Sequence, residues 1–176
     1  MKRLDLDVEY KGGNMKILAI DPSTTSTGLA TFEGEKITYW DRFAPSKDLD
    51  VILRSFEIAK KIEQLIEVDK PDLIVTETPF SRNRHGLEVQ NRMIGMLEFV
   101  FCEKKIPFEY VHPKSIYRIF GLKGNAKREE KKEVSIKFIN ETFKLNLSAK
   151  DDDIADAIVI GLYQIKENKR REEEND

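Results

Sequence analysis

Four acidic residues, Asp21, Glu77, Asp153 and Asp156, each stand at the end of an apolar run or at the start of a helical one. In an alternating strand and helix pattern those positions expose chemistry rather than packing. Little other catalytic equipment accompanies them. The 176 residues include two histidines and one cysteine, and no glycine-rich phosphate loop. Carboxylates without a Ser/His or Cys/His constellation point to hard divalent cations held by oxygen, magnesium above all, and to phosphodiester chemistry.

The elements that must position these acids can be read from periodicity. Lys16-Ile17-Leu18-Ala19-Ile20 is a short apolar run that delivers Asp21 at its C-terminal end. A polar turn over 22–27 leads to a second strand at 28–32, and Glu33-Gly34-Glu35 turns the chain into a third at 37–43. Such close spacing predicts an antiparallel meander. Residues 49–68 repeat apolar positions on the 3.6-residue period of an amphipathic helix. Leu73-Ile74-Val75 is continuously apolar, as a buried parallel strand should be, and ends on Thr76-Glu77.

Residues 87–104 then read as a helix too apolar for one buried stripe, expected both to cover the sheet and to meet a partner subunit. A fifth strand at 108–112, a short helix from Pro113 to about residue 120, a loop at 121–125, a charged helix at 127–143 and a last helix opening at Asp151-Asp152-Asp153 complete the order. The predicted fold is α/β, a five-stranded mixed sheet flanked by helices. One domain is expected over residues 15–166. Residues 1–14 read as a poorly ordered N-terminal extension, and 167–176 as a charged tail that frays.

Composition narrows the partners. The chain is 40% hydrophobic and 35% charged, as in a globular protein, with a net charge of −2. Charge is unevenly spread: residues 80–137 hold 13 Lys or Arg against 7 acids. A basic face beside an acidic pocket suits a polyanion that is cut. A solvated surface of mixed charge fits the same counts. No apolar run approaches the roughly 20 residues needed to cross a membrane. Cys102, set among Leu97, Phe99, Val100 and Phe101, reads as a buried thiol; one cysteine allows no disulfide within the chain, which fits a reducing cytosol and a cytoplasmic location.

The last helix leaves a choice. Asp153 and Asp156, three apart, share a helix face, but so do Asp152 and Asp156, four apart. All lie where a helix N-terminus favours negative charge, so capping explains some of them equally well.

Three segments resemble the motifs of RuvC-like Holliday junction resolvases, which have the RNase H-like fold. These are Ile20-Asp21-Pro22-Ser23-Thr24-Thr25-Ser26-Thr27-Gly28-Leu29-Ala30, Val75-Thr76-Glu77-Thr78-Pro79-Phe80 and Asp153-Ile154-Ala155-Asp156-Ala157. The resemblance keeps the family's order from about residue 15 to 165, and its aspartate spacing selects Asp153 over Asp152. It implies that Asp21, Glu77, Asp153 and Asp156 bind two Mg2+ ions, with Mn2+ as a substitute. It further implies a homodimer that resolves four-way DNA junctions by paired nicks leaving 5′-phosphate and 3′-hydroxyl ends, and the broadly apolar 87–104 helix is the candidate interface. Phe80 matches an aromatic that wedges into the junction centre, next to basic Arg82 and Arg84. Lys114 resembles the family's lysine past the fifth strand. Gly124-Asn125-Ala126 resembles its glycine-rich loop, and Lys131 its second, catalytic lysine, for which Lys127 competes. His112 reads as structural, and His85 as a candidate phosphate contact. The alternative is an RNase H-like nuclease acting on RNA or on another branched nucleic acid. The turn at Asp21 also resembles the phosphate loop of actin-like sugar kinases, which are much larger and carry a second nucleotide-binding half.

Overall fold

Five strands form one mixed sheet in the order β3-β2-β1-β4-β5 in the computed structural model, which describes residues 14–81, 83–121 and 127–174. Residues 1–13 of the expected extension, Arg82 and the Gly124-Asn125-Ala126 loop lie outside the described residues. Strands β1 (Lys16–Asp21), β2 (Thr27–Glu33) and β3 (Lys36–Phe43) make the antiparallel meander. β4 (Leu73–Glu77) lies parallel to β1, and β5 (Phe108–Val111) parallel to β4. The helices are α1 (Val51–Asp69), α2 (Arg84–Glu103), α3 (Pro113–Ile116) with a 3₁₀ turn at Tyr117–Phe120, α4 (Arg128–Phe143) and α5 (Asp152–Glu173). Element order therefore follows the pattern read from the sequence.

Side-chain alternation sorts the sheet into two cores. Leu18, Ile20, Leu29 and Ile74 pack with Ile58, Ile62 of α1 and Met93, Leu97, Phe101 of α2. Ile17, Ala19, Ala30, Phe32, Leu73 and Val75 point the other way, onto Ala155, Ile158 and Val159 of α5 and Ile139 of α4. The same period of two carries Asp21, Gly28 and Glu77 onto the α5 face.

Two glycines let α5 approach the sheet closely. A Cβ on Gly28 would lie 1.8 Å from the Asp153 carbonyl oxygen, so the strand must present bare backbone where the helix begins. Further along, a Cβ on Gly161 of α5 would sit 2.2 Å from the Phe32 ring, so here the helix supplies the notch and the strand fills it.

Helix ends differ from the sequence reading for local reasons. α1 begins at Val51 rather than 49 because the Asp50 carboxylate accepts from the Ile52 and Leu53 amides at 2.8 and 2.9 Å. α2 begins at Arg84 rather than 87, capped by Asn83 accepting from the Gly86 amide at 2.6 Å. Cys102 is exposed, not buried. Buried positions 93, 97, 100 and 101 occupy one side of α2, and 102 turns past them.

The last helix runs on into the stretch read as a charged tail. α5 continues to Glu173, because its polar residues have partners on β5. The Arg171 guanidinium donates to both oxygens of Glu109 at 2.8 and 2.9 Å, and Gln164 donates to the same carboxylate at 3.1 Å. Burial pushes Glu109 upward, but Arg171 and Gln164 outweigh it and hold its carboxyl below the ordinary range. Gln164 also bonds Asn168 at 2.8 Å, so the buried polar groups of this turn satisfy one another.

Candidate active site

Asp21 and Glu77 are the last residues of β1 and β4, which are parallel neighbours in register Ile20↔Thr76. Their side chains therefore leave adjacent strands at the same C-terminal edge of the sheet and on the same face. That edge is where an α/β sheet offers a crevice to ligands. Gly28 stands opposite Asp21 on β2, and by admitting the Asp153 backbone it brings the first turn of α5 against the same edge. Three elements distant in sequence thus converge.

Electrostatics register the convergence. Asp21 is pushed well above the usual carboxylate value, first by burial and then by Asp156, Glu77, Asp153 and Asp152 around it. Glu77 is raised from 4.5 to about 7 by burial and by Asp156, with Lys131 pulling it back down. Such a cluster resists carrying its full negative charge unless cations neutralise it. Its donors are all carboxylate oxygens, the set that suits hard Mg2+ or Mn2+ rather than softer metals. The residues present therefore fit a divalent ion. Among the described residues no three candidate ligands already stand at coordinating distance from one another.

Neighbouring side chains hold the carboxylates instead. Ser26, in the loop after Asp21, donates its hydroxyl to Asp153 Oδ2 at 2.5 Å. Tyr117 donates its phenol to Asp156 Oδ1 at 2.6 Å. Asp152 pairs with Lys132 of α4, so it is tied to a different element from Asp153. Lys131 lies with its ammonium 4.9 Å from the Tyr117 ring centroid and close enough to influence Glu77. Lys127, its competitor, is exposed at the N-cap of α4.

The other expected contacts ring this edge. Phe80 is 53% exposed three residues past Glu77, with its ring 6.5 Å from that of His112. Pro22, Pro79, Phe80 and Pro113 line a cavity of about 130 Å³ beside Glu77. Lys114 is exposed at the start of α3, where its amide donates to His112 Nδ1 at 3.1 Å, giving that histidine the structural role of a cap. Arg84 is exposed and pairs with Glu88 at 3.0 Å. His85 is exposed beside it. Sequence reasoning missed Ser26, Tyr117 and Lys132 as neighbours of the acids. Ser26 lies inside the first motif and was open to detection; Tyr117 and Lys132 give no periodic or motif signal.

The family described as Lactococcus phage M3 protein matches residues 14–166. The chain belongs to that family. The match spans every strand of the M3-family chain and all four acids. The chain is also RuvC-like in sequence. It is 27% identical over 157 residues to the crossover junction endodeoxyribonuclease RuvC of Syntrophomonas wolfei, an overlap of 86% of this chain and 88% of that one. Among solved structures, T. thermophilus RuvC in complex with Holliday junction substrate superposes with a TM-score of 0.69 at 18% identity, over 85% of this chain and 91% of that one. Fowlpox virus resolvase, solved with Holliday junction DNA, gives 0.61 at 18% identity, over 87% and 98%. The M3-family chain thus has the RNase H-like fold of RuvC and the resolvases. Among the described residues no helix is long and apolar enough to cross a membrane.

Proposed function

We propose that this protein is a metal-dependent crossover junction endodeoxyribonuclease, resolving four-way DNA junctions by paired nicks. The single observation that carries the reading is the convergence of Asp21 and Glu77, at the C-terminal edge of β1 and β4, with Asp153 and Asp156 of α5, where burial and the neighbouring acids raise Asp21 and Glu77. Likeness to proteins named as crossover junction endodeoxyribonucleases supports the substrate class. Asp21, Glu77, Asp153 and Asp156 would hold two Mg2+ ions, or Mn2+ in their place, which when bound supply Lewis acidity toward the phosphodiester and acidify water.

The chain's own residues bind, orient and exclude. Ser26 fixes one oxygen of Asp153 and with it the set of that carboxylate. Lys131 brings a positive charge to the side of Glu77 and suits a non-bridging phosphate oxygen. Water attacks phosphorus in line, the bond to the 3′ oxygen breaks, and that oxygen takes a proton, leaving 5′-phosphate and 3′-hydroxyl ends. Exposed Phe80 is placed to stack on an unpaired base, worth roughly 1–3 kcal/mol. Arg82, Arg84, Lys114 and Lys127 serve as backbone contacts that set affinity rather than sequence.

We further propose a homodimer, since a four-way junction is nearly two-fold symmetric and an isologous pair presents two equivalent sites. Ile52, Leu53 and Phe56 of α1 and Phe99 of α2 are large apolar side chains left exposed, which supports an interface on this side of the sheet. The test is incubation with a synthetic four-way junction and with linear duplex, in Mg2+ and in EDTA. Symmetric nicks on the junction in Mg2+ alone are expected. Equal cutting of linear duplex, or preferential cutting of an RNA–DNA hybrid, would favour the alternative of a nuclease acting on RNA or another branched nucleic acid.

A further inference from the structure

Tyr117 does not belong to any of the three motif segments, and it comes from the 3₁₀ turn after β5 rather than from an element that ends in an acid. It nevertheless stands among the acids. Its phenol donates to Asp156 Oδ1 at 2.6 Å. The face of its ring carries the Lys131 ammonium at 4.9 Å. One side chain therefore touches a carboxylate of α5 and a cation of α4 at once.

We infer that Tyr117 is a positioning residue with two separable duties, its hydroxyl orienting Asp156 for cation binding and its ring holding the Lys131 ammonium beside Glu77. The physical reasons differ. A carboxylate pinned through one oxygen presents the other in a fixed direction, and outer hydrogen bonds of this kind are worth about 10–100-fold in metal affinity or activity. A lysine has a long flexible stem, so its charge is useful at a phosphate only if something fixes it. The Tyr117 ring face gives that ammonium a contact that carries no formal charge of its own.

The inference rests on the nuclease reading, and its test keeps the two apart. Tyr117→Phe removes the hydroxyl and keeps the ring; Tyr117→Leu removes both. Full-length proteins are compared by junction nicking, by junction Kd in EDTA, and by the Mn2+ concentration giving half-maximal thermal stabilisation, a readout that needs no turnover. Tyr117→Phe is expected to raise that concentration and lower kcat, each by about tenfold, with junction Kd unchanged. Tyr117→Leu should lower kcat several-fold more. Adding Lys131→Met should then cost activity in the Phe background but nothing further in the Leu background. Melting in EDTA reports whether each variant folds. A Tyr117→Phe protein equal to wild type in Mn2+ midpoint and kcat overturns the hydroxyl's duty. Equal kcat for the Phe and Leu variants overturns the ring's. If wild type binds Mn2+ but leaves junctions intact, the nuclease reading fails while the Mn2+ midpoints still judge Tyr117.

Discussion

Replacing Glu77 by glutamine should make the metal-free protein more stable, and the size of the gain can be worked out. Burial and Asp156 raise this carboxyl from 4.5 to about 7 in the folded chain. Between those values the folded state keeps a proton that the unfolded state releases, so stability falls as pH rises through that window and levels off above it. At 1.36 kcal/mol per pH unit the loss is about 3 kcal/mol. Asp21 is raised too, so it adds a loss of the same sign that begins lower, near its ordinary 3.8. Glutamine has nearly the same shape and no proton to surrender. The assay is urea or thermal unfolding in EDTA from about pH 5 to about pH 8, where wild type should lose about 3 kcal/mol or more. Glu77→Gln should lose about 3 kcal/mol less, keeping the part that belongs to Asp21, and at the upper end melt roughly 6–12 °C higher, at about 2–4 °C per kcal/mol for a chain of this size. Saturating Mg2+ should reverse the ranking, because a ligand stabilises the form that binds it best. Wild-type stability that stays flat across this range in EDTA, or a glutamine variant with the same slope, would refute the claim that the acids are crowded and desolvated.

Other expected outcomes follow from the same geometry. Asp21→Asn and Asp153→Asn should each abolish nicking while junction binding by gel shift survives; retained cutting would remove the residue from the proposed ligand set. Gly28→Ala should cost about 1–3 kcal/mol or more in unfolding free energy, because its Cβ has only 1.8 Å to the Asp153 carbonyl, and it should depress nicking even below the melting transition. Phe80→Ala should slow resolution more than it weakens binding, judged by single-turnover rates against Kd; an unchanged rate dismisses the wedge.

Much of this site could be read from residue order. Acids that close continuous apolar runs announce themselves, because a strand's period fixes which face its last residue joins. Asp21 and Glu77 were legible for that reason. Asp153 and Asp152 were not separable from spacing alone; the family resemblance chose between them, and in the fold the cation of Lys132 occupies one while Ser26 holds the other. Tyr117 escaped because its position depends on where a 3₁₀ turn folds back, a three-dimensional fact with no sequence period. Cys102 was misjudged because apolar neighbours in sequence do not share a helix face. The Arg171–Glu109 pair was not legible, because Arg171 looks like any surface cation until Glu109, 62 positions earlier, is seen to accept from it.

The reciprocal glycine notches have a bearing on how this centre adapts to its substrate. A rod seated in one socket could still pivot or creep; seated in two, one cut into the sheet and one into itself, it has a single allowed seating. The last helix is thereby held close to the sheet at two points, its first turn by the bare backbone of Gly28 as well as by side chains. Whatever accommodation a branched substrate demands is then expected from elements other than this helix, the exposed segment from Glu77 through Phe80 among them.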